Sequence, residues 1–333
     1  MDVMRNLKIH TVLVFSLWII GLGEGWAQDP HYTQFFATPH LINPAYTGVF
    51  EGRIRASTNY RQQWMGLTSP LTSMVAAVDA KLFNDEVYHQ NPLNVGIAFQ
   101  SDKTLKGALS SDGITGNVAY HIPLDREGYQ SLGLGLSGTY GKRNFNFSNM
   151  ASASQFTSGG FNQGLPSGEV AMENMKPYLS VGAGVLYCNS KPEEGSFFEF
   201  GVGAFHLNRP LQTILYEGNA VIPMRVAAHT YIQRYVGADL LIDGRLLYQL
   251  QTGSDYLLGG LALTKLLDED PEGSLLGLGC WYRTGDAIAP YVFGEFNSVR
   301  LGITYDIQLN DIRKPTAPAT SLEFSLQYRL QSK

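Results

Sequence analysis

Apolar and polar residues alternate one for one along most of this chain. The last segment is the clearest, with Leu322, Phe324, Leu326, Tyr328 and Leu330 interleaved with Glu323, Ser325, Gln327 and Arg329. The segment before it sets Val299, Leu301, Ile303, Tyr305, Ile307 and Leu309 against Arg300, Gly302, Thr304, Asp306 and Gln308. A period of two puts the two sets on opposite faces of a β-strand. Leu132 to Leu136 and Phe198 to Gly203 repeat the pattern with glycine on the second face. Segments bounded by turn residues number about 14, each near the roughly 9–11 residues with which a tilted strand crosses a bilayer. They span 53–61, 72–83, 94–101, 112–122, 131–143, 178–190, 196–206, 224–234, 238–249, 255–265, 275–283, 288–296, 298–306 and 321–330. The fold class is all-β, an antiparallel up-and-down transmembrane barrel.

An even strand number suits a single-chain barrel with both termini in the periplasm, and parity then assigns the connections. Residues 144–177 and 207–223, the long ones, follow the fifth and seventh strands and fall outside. The tight connections at Tyr235-Val236-Gly237 and Asn297 fall on the periplasmic side. Connections 84–93 and 266–274 are longer than periplasmic turns need, which leaves the count open by two. Residues 28–52 do not alternate, yet Pro30, Pro39, Pro44 and many aromatics make them too rich for a disordered tail. An ordered segment packed in or under the barrel is expected there, plug-like or periplasmic, with residues 53–333 forming the barrel. The polar stretch 144–167 is a loop rather than a linker.

Residues 1–27 have the layout of a cleaved signal peptide. Arg5 and Lys8 precede a short apolar core from Thr11 to Ile20, and Gly25-Trp26-Ala27 supplies small residues at −3 and −1 before Gln28. The core is too short for a comfortable membrane anchor. Composition agrees with a barrel: 44% hydrophobic residues and 36 glycines, but only 16% charged residues and a mean hydropathy of −0.08. Removing the leader takes away two acidic and two basic residues, so the net charge stays at −5 and nothing points to nucleic acid.

Chemistry-bearing motifs are sparse. Gly133-Leu134-Gly135-Leu136-Ser137-Gly138 matches the dinucleotide fingerprint literally, but it lies inside a strand with no helix after it. Small residues facing the lumen or a crowded strand pair explain it better. His31, His40, His89, His121, His206 and His229 show no paired metal spacing. An enzyme would need a Ser-His pair converging at the barrel rim, and no nucleophile motif signals one. Asp268-Glu269-Asp270 and Glu193-Glu194 suit solvated periplasmic turns better than a Ca²⁺ site. Cys188 and Cys280 lie on separate strands as small unpaired residues. Trp64, Trp281, Tyr282, Tyr291 and Tyr328 are candidates for interfacial aromatic girdles. No cofactor, metal or catalytic residue is expected.

Three ordered blocks carry more information. The first is Gln28-Asp29-Pro30-His31-Tyr32-Thr33-Gln34; the second, Asn43-Pro44-Ala45-Tyr46-Thr47-Gly48; the third, Tyr60-Arg61-Gln62-Gln63-Trp64-Met65-Gly66. With Ser101-Asp102 and His206-Leu207-Asn208-Arg209-Pro210, they resemble the PorP/SprF family of outer-membrane proteins associated with type IX secretion. The resemblance runs from residue 28 to the end of the chain. It implies a non-enzymatic accessory role, docking or anchoring secreted cargo that carries a type IX C-terminal signal, gliding adhesins included. The implied partners are components of the secretion and motility machinery, such cargo, and outer-membrane lipid, with loops 144–177 and 207–223 as cargo surfaces. The alternative is a barrel transporting a hydrophobic or small solute, with residues 28–52 as a plug.

In physical terms, Asn43-Pro44 forces an extended step before a turn, and Gly48 permits positive φ where the chain enters strand one. Arg61 and Trp64 lie at the top of that strand, where a guanidinium can stack on an indole. Asn43, Pro44, Tyr46, Gly48, Arg61, Trp64, His206, Asn208 and Arg209 are the candidate partner-binding residues. Two readings stay open for this surface: a lock holding the N-terminal segment to the wall, or a preformed interaction hot spot.

Overall fold

The computed structural model describes residues 29–66, 69–82, 92–146, 152–162, 164–166, 175–191, 195–212, 221–268, 273–309 and 320–330. The signal-peptide reading therefore lies outside the described residues, as do Glu193, Glu194, Glu269, Asp270 and parts of both long connections. Strands β1 (Ile54–Gln63), β2 (Leu71–Lys81), β3 (Leu93–Thr104), β4 (Leu109–Pro123) and β5 (Gln130–Phe145) form the first part of the wall. A short hairpin, β6 (Phe156–Thr157) and β7 (Gly160–Phe161), stands apart in the connection that follows. The wall resumes with β8 (Tyr178–Lys191), β9 (Ser196–Phe205), β10 (Arg225–Tyr235), β11 (Leu240–Gln251) and β12 (Ser254–Leu266). Then come β13 (Leu275–Arg283), β14 (Ala287–Phe296), β15 (Val299–Gln308) and β16 (Ser321–Leu330). Each wall strand pairs antiparallel with its sequence neighbours, and β16 pairs with β1 from Ile54↔Leu330 to Gln62↔Leu322, closing a barrel of 14 strands.

Alternation builds this wall because one side must satisfy hydrocarbon and the other the interior. In β15, Leu301, Ile303, Tyr305 and Ile307 are exposed while Thr304 and Asp306 are buried. In β16, Phe324, Leu326 and Tyr328 face out, and Ser321, Glu323 and Ser325 face in. This inverts a soluble protein, where burying an unpaired carboxylate while exposing leucines would be costly. A closed sheet also leaves no unpaired edge, as a lipid-exposed wall requires. Among the described residues no helix is long and apolar enough to cross a membrane.

Two aromatic assignments change. Trp281 and Tyr291 share parity with Gly277 and Phe293 and are buried in the lumen, whereas Tyr282 and Tyr328 face outward. Trp281 and Tyr291 therefore belong to the inner core, not to a girdle. Both cysteines are free, with Cys188 buried and Cys280 exposed.

One end of the barrel carries the long connections around residues 146–177 and 206–224; the other carries turns such as 236–239 and 297–298. These are called the loop end and the turn end.

Candidate functional site

Residues 29–52 run through the barrel from the loop end to the turn end in three short 3₁₀ turns, Phe35–Ala37, Pro39–Leu41 and Pro44–Tyr46. Residue 29 thus stands at the loop end, which corrects the expectation of both ends of the chain on the side of the short turns. Parity counts only strands of the wall, and a crossing inside the lumen escapes it.

At the loop end Asp29 is held on several sides. His206 Nε2 lies 2.8 Å and Arg225 Nε 3.2 Å from its carboxylate, and its backbone N–H donates to Gln251 at 2.9 Å. Ser180 Oγ lies 2.8 Å from the other nitrogen of His206. With Nε2–H given to the carboxylate, Nδ1 accepts from the serine. A Ser-His pair thus does converge at the rim, but Ser180 and His206 are buried and the carboxylate is neutralised by Arg225. The arrangement works as a clamp on the start of the segment. Burial acts to raise the Asp29 pKa, but Arg225 and His206 outweigh it and hold the carboxyl well below the usual aspartate range. His206 sits at φ +56°, a left-handed conformation uncommon for non-glycine residues. Asn208 supports that bend by donating to Leu179 O and accepting from Val181 N–H.

One layer deeper lies a buried ionic knot. Glu323 accepts the backbone N–H groups of Thr33 (2.8 Å) and Gln34 (2.7 Å) and the amide of Asn59 (2.8 Å). Asp306 takes Arg61 and Arg283, each at 2.7 Å, and the Thr33 hydroxyl. Arg61 also donates to His31 O at 2.9 Å. Its guanidinium is thus fully buried in the lumen, so the expected stacking on Trp64 does not form; Trp64 is exposed at the loop end, with φ +59°. Gln34 completes the knot by donating to Glu323 O and accepting from Ser325 Oγ.

Mid-lumen packing is lopsided. Phe35, Phe36 and Ile42 press on Trp281, Tyr291, Leu247 and Leu258 of the β11–β14 wall. Arg245 caps the Phe36 ring at 4.6 Å. On the opposite side the backbone of residues 42–45 lies directly on β5, β8 and β9. Cβ atoms at Gly135, Gly184 and Gly203 would strike Ala45, Asn43 and Ile42 respectively. Of the fingerprint-like glycines of β5, Gly135 serves close backbone approach and Gly133 faces the His121 ring, both in the lumen, whereas Gly138 is on the outer face with nothing within 4 Å of a Cβ. Asn43 caps the third 3₁₀ turn by accepting from Ala45 N–H and donates to Val185 O. It also lies 3.0 Å from His229 Nε2, and Tyr46 Oη lies 2.9 Å from His229 Nδ1 while donating to Glu199. The chain Asn43→His229→Tyr46→Glu199 is consistent in donor direction throughout.

At the turn end Gly48 (φ +84°) donates to Asp79 at 2.9 Å, and Asp79 is bidentate to Arg55. A Cβ at Gly48 would strike Asn94, so only glycine fits. The candidate residues thus divide. Asn43, Pro44, Tyr46, Gly48, Arg61 and His206 are buried and engaged within the chain, while Trp64, Asn208 and Arg209 are exposed at the loop end. Sequence reasoning missed Glu323, Asp306, Arg283, His229, Glu199 and Arg225. The available signal was charge on the inward parity of a membrane strand, which demands a partner.

A cavity of about 20 Å³ remains beside the segment, bordered by His31, Thr38, Gln100 and Tyr256, room for about one water. Among the described residues no group of three or more His, Cys, Asp or Glu side chains is placed to hold a metal.

The fold is that of known outer-membrane barrels. The Pseudomonas putida toluene transporter TodX superposes with a TM-score of 0.50 at 7% identity, covering 91% of this chain and 98% of its own. The CymD monoaromatic hydrocarbon channel gives 0.48 at 9% identity, covering 89% and 93%. The KdgM porin gives 0.41 at 8%, covering 83% and 99%. No curated protein matches the sequence. Residues 25–328 match the family described as type IX secretion system membrane protein PorP/SprF, and this chain belongs to that family.

Proposed function

We propose that this protein is a non-enzymatic accessory barrel of the type IX secretion and gliding machinery that docks or anchors secreted cargo at the cell surface. The observation carrying the proposal is the occupied lumen: the chain's own segment fills the route a solute would take and is fastened at both ends. Such a barrel serves as a platform rather than a conduit. Its leader, residues 1–27, is removed on export, and the loop end faces outward, since barrels of this class keep short turns in the periplasm. Cargo bearing a type IX C-terminal signal then meets Trp64, Asn208, Arg209 and the connections around 146–177 and 206–224. Machinery components meet the turn end.

The test is co-purification from outer membranes. Signal-bearing cargo and type IX components should be recovered with the wild-type barrel, and cargo recovery should fall in a W64A/R209A variant whose folded barrel is unchanged. Recovery of neither class with the wild type would overturn the proposal.

A further inference from the structure

A depression of about 440 Å³ opens on the outer wall across β1 and β2, beside the seam where β16 closes the barrel. Its floor is Ala56, Thr58 and Ala76, small residues on the face that elsewhere carries leucine, phenylalanine and tyrosine. Leu326 and Tyr328 of β16 wall one side, Ile97 and Phe99 of β3 the other. The register aligns them: Leu326, Thr58, Ala76 and Phe99 are successive cross-strand neighbours. The hydroxyl of Thr58 donates back to Val75 O at 2.8 Å, so the floor presents no unmet hydrogen-bonding group.

We infer that this depression is a binding site for a phospholipid acyl chain. The chemistry asks for an occupant without polar groups, because a donor or acceptor brought to this floor would lose its partners. The width decides among apolar occupants. Three strand spacings separate the β16 and β3 backbones, about 14 Å, and side chains from both walls narrow the opening further. An α-helix with its side chains, about 10–12 Å across, does not reach the floor; an unbranched polymethylene chain does. A second copy docking through a two-fold axis would set the hollow against itself and leave a void. Ala56 lies in the turn-end half of β1, so with the loop end outward, as proposed above, the chain comes from the periplasmic leaflet, where the lipid is phospholipid.

The test uses the intact barrel in vesicles of phosphatidylethanolamine and phosphatidylglycerol containing a minor fraction of phospholipid with a photoactivatable diazirine in its acyl chain. Both leaflets carry the probe, so the result does not depend on orientation. After irradiation, peptides holding residues 56–58 and 97–99 should be labelled several-fold more than those holding Leu261 and Leu278, outward leucines on open wall. Filling the floor with Ala56→Leu and Ala76→Leu should bring labelling down to the Leu261 level and leave Leu261 unchanged. Wild-type labelling no higher than at Leu261 and Leu278 overturns the inference without recourse to the variant. So does labelling that persists in a variant with native heat-modifiable migration, or chain-to-chain cross-linking at the floor.

Discussion

Glu323 shows how much one inward residue of a membrane strand can carry. It binds two backbone N–H groups of the luminal segment and lies 3.6 Å from Arg61. Truncation to alanine removes the acceptor and leaves buried donors and an under-neutralised guanidinium, so Glu323→Ala should cost about 3–5 kcal/mol. Equilibrium unfolding of the refolded barrel measures this, and Glu323→Gln, which keeps an acceptor, should cost less. Asp29 gives a pH dependence of known sign. Its folded pKa lies below that of the unfolded chain, so its contribution is fully present above the ordinary aspartate value of about 3.9 and is lost as pH falls from there toward the folded pKa. The Asp29 share of the protease protection of residues 29–40, read as the difference between the wild type and Asp29→Asn, should therefore be constant from neutral pH to about pH 4 and shrink only below that range. At Gly135 the constraint is space: Gly135→Val places side-chain atoms where the backbone of Pro44 and Ala45 runs. Hydrogen exchange across residues 42–48 should rise in that variant while the distant β13–β15 wall stays protected.

The strands were legible because their signal is local: each declares itself through residues two apart, whatever its partner. Only ends shifted, as when the segment expected at 112–122 extends over Leu109–Pro123. The path of residues 29–52 was not legible, because every contact that fixes it is remote and aperiodic. Thr33 and Glu323 are 290 positions apart, Tyr46 and His229 183. What the sequence did offer was hardware for such a path: prolines and Asn43 to shape it, Gly48 to end it, and glycine on the inner parity of β5 and β9 to admit it. The same parity separates Trp281 and Tyr291 from the girdle, once inner and outer sets are compared along the whole of β13 and β14. At the element scale, the segment should behave as one unit with two fastenings. An Asp29→Ala/Glu323→Ala double variant should expose residues 29–42 to protease while the Asp79–Gly48 end holds.

At the scale of the whole molecule, a closed wall surrounds a lumen through which the chain's own residues 29–52 run. The resemblance to transporters is a matter of fold, and 7% identity to TodX carries no statement about solutes. Residues 29–34 and 43–48 lie inside the barrel, and in the function proposed above this leaves the loop end, with Trp64, as the surface for partners. Single-channel conductance of the intact protein in a planar bilayer tests this most directly. The expected result is no stable open level for the wild type and the appearance of one when residues 29–48 are deleted or released. A steady conductance from the intact, folded protein would contradict the platform and favour a transport barrel.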